Sequence, residues 1–99
     1  MELSDNQKKY LRGLGHPLKP LVMVGQHGLT DAVIKELDQT LDAHELVKVR
    51  ARVGDRDVRD EALAAMAERT GAVLVQKIGN VGLLYRANRK LPRIVLPGA

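Results

Sequence analysis

Gly25-Gln-His-Gly28 is the stretch of this sequence whose residue types and spacing best suit a ligand. The apolar run Leu21-Val-Met-Val24 leads into it, and a helix start follows at Leu29-Thr30. A strand, a Gly-x-x-Gly loop and a helix N-terminus in that order gather backbone N–H groups at the positive end of a helix dipole, which suits an anion and a phosphate above all. The motif alone carries little weight, because nine glycines in 99 residues produce about one such pair by chance. A tight turn with no ligand is the competing reading. The second pair, Gly79-Asn-Val-Gly82, joins two apolar runs with no helix after it and reads as hairpin-turn chemistry.

Residues for catalysis are sparse. His16, His27 and His44 lie far apart and match no metal-ligand spacing. Cysteine is absent, which removes disulfides, thiolate metal sites and a thiol nucleophile. Ser4 is the only serine and serves as a helix cap. Gly13-Leu-Gly15 lacks the third glycine and the preceding strand of a dinucleotide fingerprint, and no Gly-Lys-Ser/Thr phosphate loop occurs. Asp55, Asp57, Asp60 and Glu61 crowd a helix start, where capping and the helix dipole account for them. His44-Glu45, at a helix–strand junction, reads as a C-terminal helix contact. The sequence therefore predicts no catalytic residue, no metal site and no cofactor.

The charge distribution is uneven. Residues 1–47 carry five Lys/Arg against seven Asp/Glu, and residues 48–99 carry eleven against five, for a net charge of +4. From Lys77 onward there are basic residues and no acid. Such a surface favours polyanions through counterion release, with nucleic acid as the first candidate. Tyr10 and Tyr85 are the only aromatics, too few for an extended base-stacking platform; if RNA binds here, backbone amides and Lys/Arg should hold it. The N-terminus lacks a secretory pattern and no apolar run is long enough to span a bilayer, so a soluble, cytoplasmic protein with no membrane partner is expected.

The elements that position these residues follow from local patterns. Ser4-Asp-Asn-Gln7 is a capping box, opening a helix to about Leu14 with Tyr10, Leu11 and Leu14 toward the core and Lys8, Lys9 and Arg12 in solvent. His16-Pro-Leu-Lys-Pro20 is an extended linker. Leu21–Val24 is a short strand. Thr30 caps a helix to about Ala43, with Leu29 and Ile34 as a hydrophobic staple and Val33, Ile34, Leu37 and Leu41 buried. Leu46–Val53 alternates, with Val47, Val49, Ala51 and Val53 on one face and Lys48, Arg50 and Arg52 on the other. Whether that basic face is merely solvated or contacts a ligand is open. A third helix spans about Val58–Thr70 with Val58, Ala62, Ala65 and Met66 inward, and Gly71 stops it. Ala72–Ile78 and Gly82–Arg86 form a hairpin, and a short edge strand is expected at Ile94–Leu96. The order α-β-α-β-α-β-β predicts one compact α/β (α+β) domain over residues 1–99. Right-handed crossovers make the first three strands parallel, and the final hairpin adds an antiparallel one.

Several blocks, in order, resemble the CRM-domain family: Leu11–Thr30, His44-Glu-Leu-Val-Lys-Val49, Thr70-Gly-Ala72, Val75–Gly79, Leu84-Tyr-Arg86 and Leu96-Pro97. The likeness is strongest to its small single-domain bacterial members, the YhbY-like proteins. The resemblance implies a mixed four-stranded sheet packed with three helices, similar to the C-terminal domain of a translation initiation factor. It also implies RNA binding, association with precursor large ribosomal subunits through rRNA, and a role in ribosome maturation. The family's loop, compared with that of KH domains, falls on Gly25, Gln26, His27 and Gly28, with Gln26 where relatives often carry a basic or small polar residue. On this reading Gly25 and Gly28 let RNA approach the backbone while Gln26 and His27 touch phosphate or sugar. Lys8, Lys9, Arg12 and Lys19 extend the basic surface near the loop, and Arg86, Arg89 and Lys90 add to it. A monomer is expected. The alternative is a ribosome-associated protein-interaction module whose basicity is incidental, and a small-anion- or nucleotide-binding enzyme is a third.

Overall fold

A computed structural model describes residues 2–98. Ser4 caps α1 (Asp5–Gly15), accepting from the Gln7 N–H while the Gln7 side chain accepts from the Ser4 N–H, so the capping box forms as expected. β1 (Pro20–Val24) follows, then α2 (Asp31–His44), β2 (Leu46–Ala51), α3 (Arg56–Thr70), β3 (Val73–Ile78) and β4 (Val81–Tyr85). Thr30 accepts from the Val33 N–H at the start of α2, and Asp55 accepts from the Val58 N–H at the start of α3. Gly71 ends α3 in the left-handed region at φ +72.

The strands lie in the order β1-β2-β4-β3, with β1 and β2 parallel and β4 antiparallel to both of its neighbours. The first three strands thus share a direction, and β4 is inserted between β2 and β3. Alternation divides the sheet into two faces. Val22, Val24, Val47, Val49, Ala51 and Leu84 face α2 and α3, joining Leu37, Leu41, Leu63 and Met66 in the larger core. Leu46, Leu83, Tyr85 and Val75 face the other way, under Leu11 of α1 and Leu3.

Local differences from the sequence pattern have steric causes. Tyr10 and Leu14 are 43% and 39% exposed, and of the three expected core positions in α1 only Leu11 is buried. The helix is turned so that Gly15 meets the sheet, so close that a Cβ there would stand 2.6 Å from Leu83 Cδ2. In α3 the buried stripe is Leu63, Met66, Ala67 and Thr70, while Val58 is exposed. Leu63 sets that rotation by seating over Gly82, where a Cβ would lie 2.9 Å from its Cδ2. Gly82 is therefore a buried packing glycine inside β4, and the hairpin turn is Gly79-Asn80 alone. Ile94–Leu96 forms no strand. Ile94 and Leu96 pack against the smaller core, and the segment is tied down by side chains instead of a ladder.

Candidate nucleic-acid interface

The Gly25–Gly28 loop emerges where edge strand β1 ends and α2 begins. The Gly28 N–H donates to the Gly25 carbonyl at 3.0 Å, closing a β-turn with Gln26 and His27 exposed at its two central positions. In such a turn the central N–H groups are not consumed by the closing bond. Gly28 has φ +74, a left-handed conformation that glycine adopts without the steric cost a Cβ brings. Gly25 has no such need, and a Cβ added to it meets nothing within 4 Å. The space above the loop is open.

Arg52 is tied to the strand end that enters this turn. Its N–H donates to the Val24 carbonyl at 2.8 Å, beside the residue that enters the loop. Its side chain is exposed, and among the described residues it has no acidic partner. Arg50, two residues earlier, pairs with Met23 across the β1–β2 ladder. Alternation marks this basic strand in the sequence, but only the β1–β2 register brings it to the loop.

The other expected residues are spread over the molecule. Lys8, Lys9 and Arg12 lie on α1, which packs against the sheet face opposite α2. All three lack an acidic partner among the described residues. Lys19 is exposed but precedes β1, whose five residues span about 17 Å, so it stands at the far end of that strand from the loop. Arg86 also lies at that end, since Tyr85 pairs with Leu46 at the start of β2. Its guanidinium is committed: it binds Asp38 Oδ1 at 2.5 Å, Asp42 Oδ1 at 2.8 Å and the carbonyls of Asp38 and Thr70. Two carboxylates neutralise its charge, and it joins α2, the end of α3 and β4. Arg89 and Lys90 are exposed in the segment beyond, bordering a cleft with Asp38 and Asp42. Four of the expected residues form the loop. The other seven do not converge on it.

Glu45 has a role that the sequence pattern hides. It sits at φ +60 between α2 and β2, fully buried, and its carboxylate accepts the N–H groups of Asn88 (2.7 Å), Arg93 (2.7 Å) and Ile94 (2.8 Å). Burial alone would raise its pKa, but the three donors and the Arg93 charge outweigh this and hold it below the usual carboxylate value. Burial and the same carboxylate push the Tyr85 hydroxyl up. Glu45 thus anchors the basic C-terminal segment. An acid before an apolar strand gives no cue to partners more than forty positions away. Among the described residues no cluster of His, Asp or Glu could hold a metal ion.

A small α+β domain with an open glycine turn, beside arginines that have no acidic partner among the described residues, has the form of a polyanion-binding module. The chain matches the CRS1/YhbY (CRM) domain over residues 3–86 and belongs to that family. A Haemophilus influenzae relative named "RNA-binding protein" is 41% identical over 95 residues, covering 96% of this chain and 95% of the relative. A Pseudomonas aeruginosa relative named "Probable RNA-binding protein PA4753" is 41% identical over 90 residues, covering 91% and 86%. The solution structure of the Staphylococcus aureus protein SAV1595 superposes with a TM-score of 0.83 at 35% identity, covering 97% of this chain and all of that one.

Proposed function

We propose that this protein binds structured RNA without catalysing a reaction on it, and that the RNA is rRNA of precursor large ribosomal subunits. In this reading the sugar–phosphate backbone rests on Gly25–Gly28, with the N–H groups and side chains of Gln26 and His27 and the guanidinium of Arg52 as its contacts. Lys8, Lys9 and Arg12 supply a second basic surface on α1, and Lys19, Arg89 and Lys90 act as outlying phosphate contacts. Arg86 serves the fold that presents them. The protein works in the cytoplasm as a monomer.

The observation that carries the reading is the open turn. It leaves the Gln26 and His27 N–H groups outside its closing bond, presents no atom where a Gly25 Cβ would sit, and is flanked by Arg52, which has no acidic partner among the described residues. The relatives' names agree with it, and the family resemblance points to ribosome maturation. Replacing Gln26 and His27 with Asp tests it: affinity for large-subunit rRNA fragments should fall at least tenfold while the melting temperature is kept. Unchanged affinity in the folded variant would remove the loop from the interface. Wild-type affinity should fall steeply with salt, as phosphate neutralisation requires. A shallow groove on α1, lined by Asn6, Lys9, Tyr10, Gly13, Leu14 and Pro97, favours protein-mediated association as the second reading. Copurification with ribosomal particles that survives RNase would support that one.

A further inference from the structure

The sheet face beneath α1 is only partly covered. Residues paired across a ladder point to the same side, so register defines rows that cross the sheet. One row runs Lys48–Leu83–Gln76, with Pro20 at the β1 edge. The end of α1 closes it: Gly15 lies against Leu83, and the His16 carbonyl accepts from Lys48 Nζ at 3.1 Å. The next row toward the glycine loop is Met23–Arg50–Val81–Ile78, one residue from each strand. Here the cover stops. Met23 is 54% exposed and Ile78 65%, with Arg50 and Val81 half-buried between them.

We propose that this row is a base-binding strip, on which unpaired nucleobases lie across Met23, Val81 and Ile78 against the Arg50 guanidinium while the adjacent loop holds their backbone. The inference rests on the RNA-binding reading above and adds to it the part of the ligand that is not phosphate. Three observations select this occupant. The strip adjoins the strand end that enters the loop, since Met23 lies on β1 two residues before Gly25. Its only charge is positive, and exposed Arg52 borders it without a partner among the described residues. Arg50 makes no ion pair among the described residues, so its half-buried guanidinium keeps its charge for a base oxygen or ring nitrogen. At about 4.8 Å per strand the row is roughly 14 Å wide, enough for a short run of splayed bases but too flat and apolar to follow a phosphate chain. Guanidinium and aliphatic groups also provide a stacking surface where aromatics are absent. This explains how a chain with one exposed tyrosine can still grip single-stranded RNA.

The test is a Met23→Thr/Ile78→Thr double variant. Both positions are exposed, and threonine keeps the β preference, so the fold should survive. Affinity of wild type and variant is measured over a salt series against an rRNA hairpin with a large loop and against the same stem without one. The expected result is a loss of at least fivefold for the looped RNA, an unchanged log–log salt slope, and equal stem affinity. A Met23→Leu/Ile78→Val variant, which keeps the apolar surface, should retain wild-type binding. Unchanged loop affinity in the folded Thr variant overturns the strip and leaves this face to a protein partner. A reduced salt slope also overturns it, because the row would then act on phosphates. Failure of the wild type to bind either RNA would instead refute the RNA-binding reading itself.

Discussion

The two glycines of the loop should separate folding from binding. Gly28 has φ +74, where an L residue with a Cβ costs about 1–2 kcal/mol, so Gly28→Ala should lower the melting temperature by roughly 5–15 °C in a domain of this size. Gly25 has no positive φ, and a Cβ there meets no atom within 4 Å. Gly25→Ala should be neutral or stabilising by a few tenths of a kcal/mol through the unfolded chain. If RNA backbone lies against that face of Gly25, the same methyl group stands where the ligand must be. A displacement that loses one charge-assisted contact costs about 1.5–3 kcal/mol, or roughly ten- to a hundredfold in affinity. Gly28→Asn supplies a control, since asparagine tolerates the left-handed region and should recover most of the stability that alanine loses. Circular-dichroism melts and fluorescence anisotropy with labelled rRNA at fixed salt give the two readouts. A Gly25→Ala protein that melts like wild type and binds within twofold of it would refute close backbone approach, leaving Gly25 as a turn residue.

Other substitutions address the frame around the site. Glu45→Gln should cost about 2–3 kcal/mol, because one amide oxygen cannot satisfy three part-buried N–H donors; hydrogen exchange at residues 88–94 should quicken in step. The Glu45 pKa is depressed on folding, so its stabilising contribution is complete above the unfolded value of about 4.3 and is lost as pH falls through the lower folded value. Urea melts between pH 7 and 3 should show that loss in wild type and a flatter profile in Glu45→Gln. Gly82→Ala drives a Cβ to 2.9 Å from Leu63 and should destabilise by about 1–3 kcal/mol, measurable by thermal melting. Arg86→Lys should lower stability by about 1–2 kcal/mol while leaving RNA affinity unchanged, whereas Arg52→Ala should leave stability unchanged and reduce the salt slope by about one.

Elements with their own local logic were readable in the sequence. The capping box at Ser4, the Thr30 cap, the Gly71 stop and the alternation of β2 each involve neighbours within a few positions, and all appear in the structure. Misplaced residues depend on what a distant element presents. The rotations of α1 and α3 follow from Gly15 meeting Leu83 and Leu63 meeting Gly82, which no helical periodicity encodes. The antiparallel pairing of β4 with β2 likewise puts Arg86 at the end of the sheet away from the loop, while the parallel β1–β2 register brings Arg50 and Arg52 toward it. The loop was legible because its glycines adjoin a strand and a helix. The surroundings were not, because charge counts carry no direction.

The Gln7 side chain donates to the Pro97 carbonyl at 3.0 Å, so the opening turn of α1 and the far end of the described chain meet. A domain whose entry and exit lie side by side can be spliced into a host loop, or strung in tandem, without being pulled apart. By the same geometry a short linker from tail to head would allow new ends to be cut at the exposed Gly54 turn, leaving the glycine loop and all four strands uninterrupted.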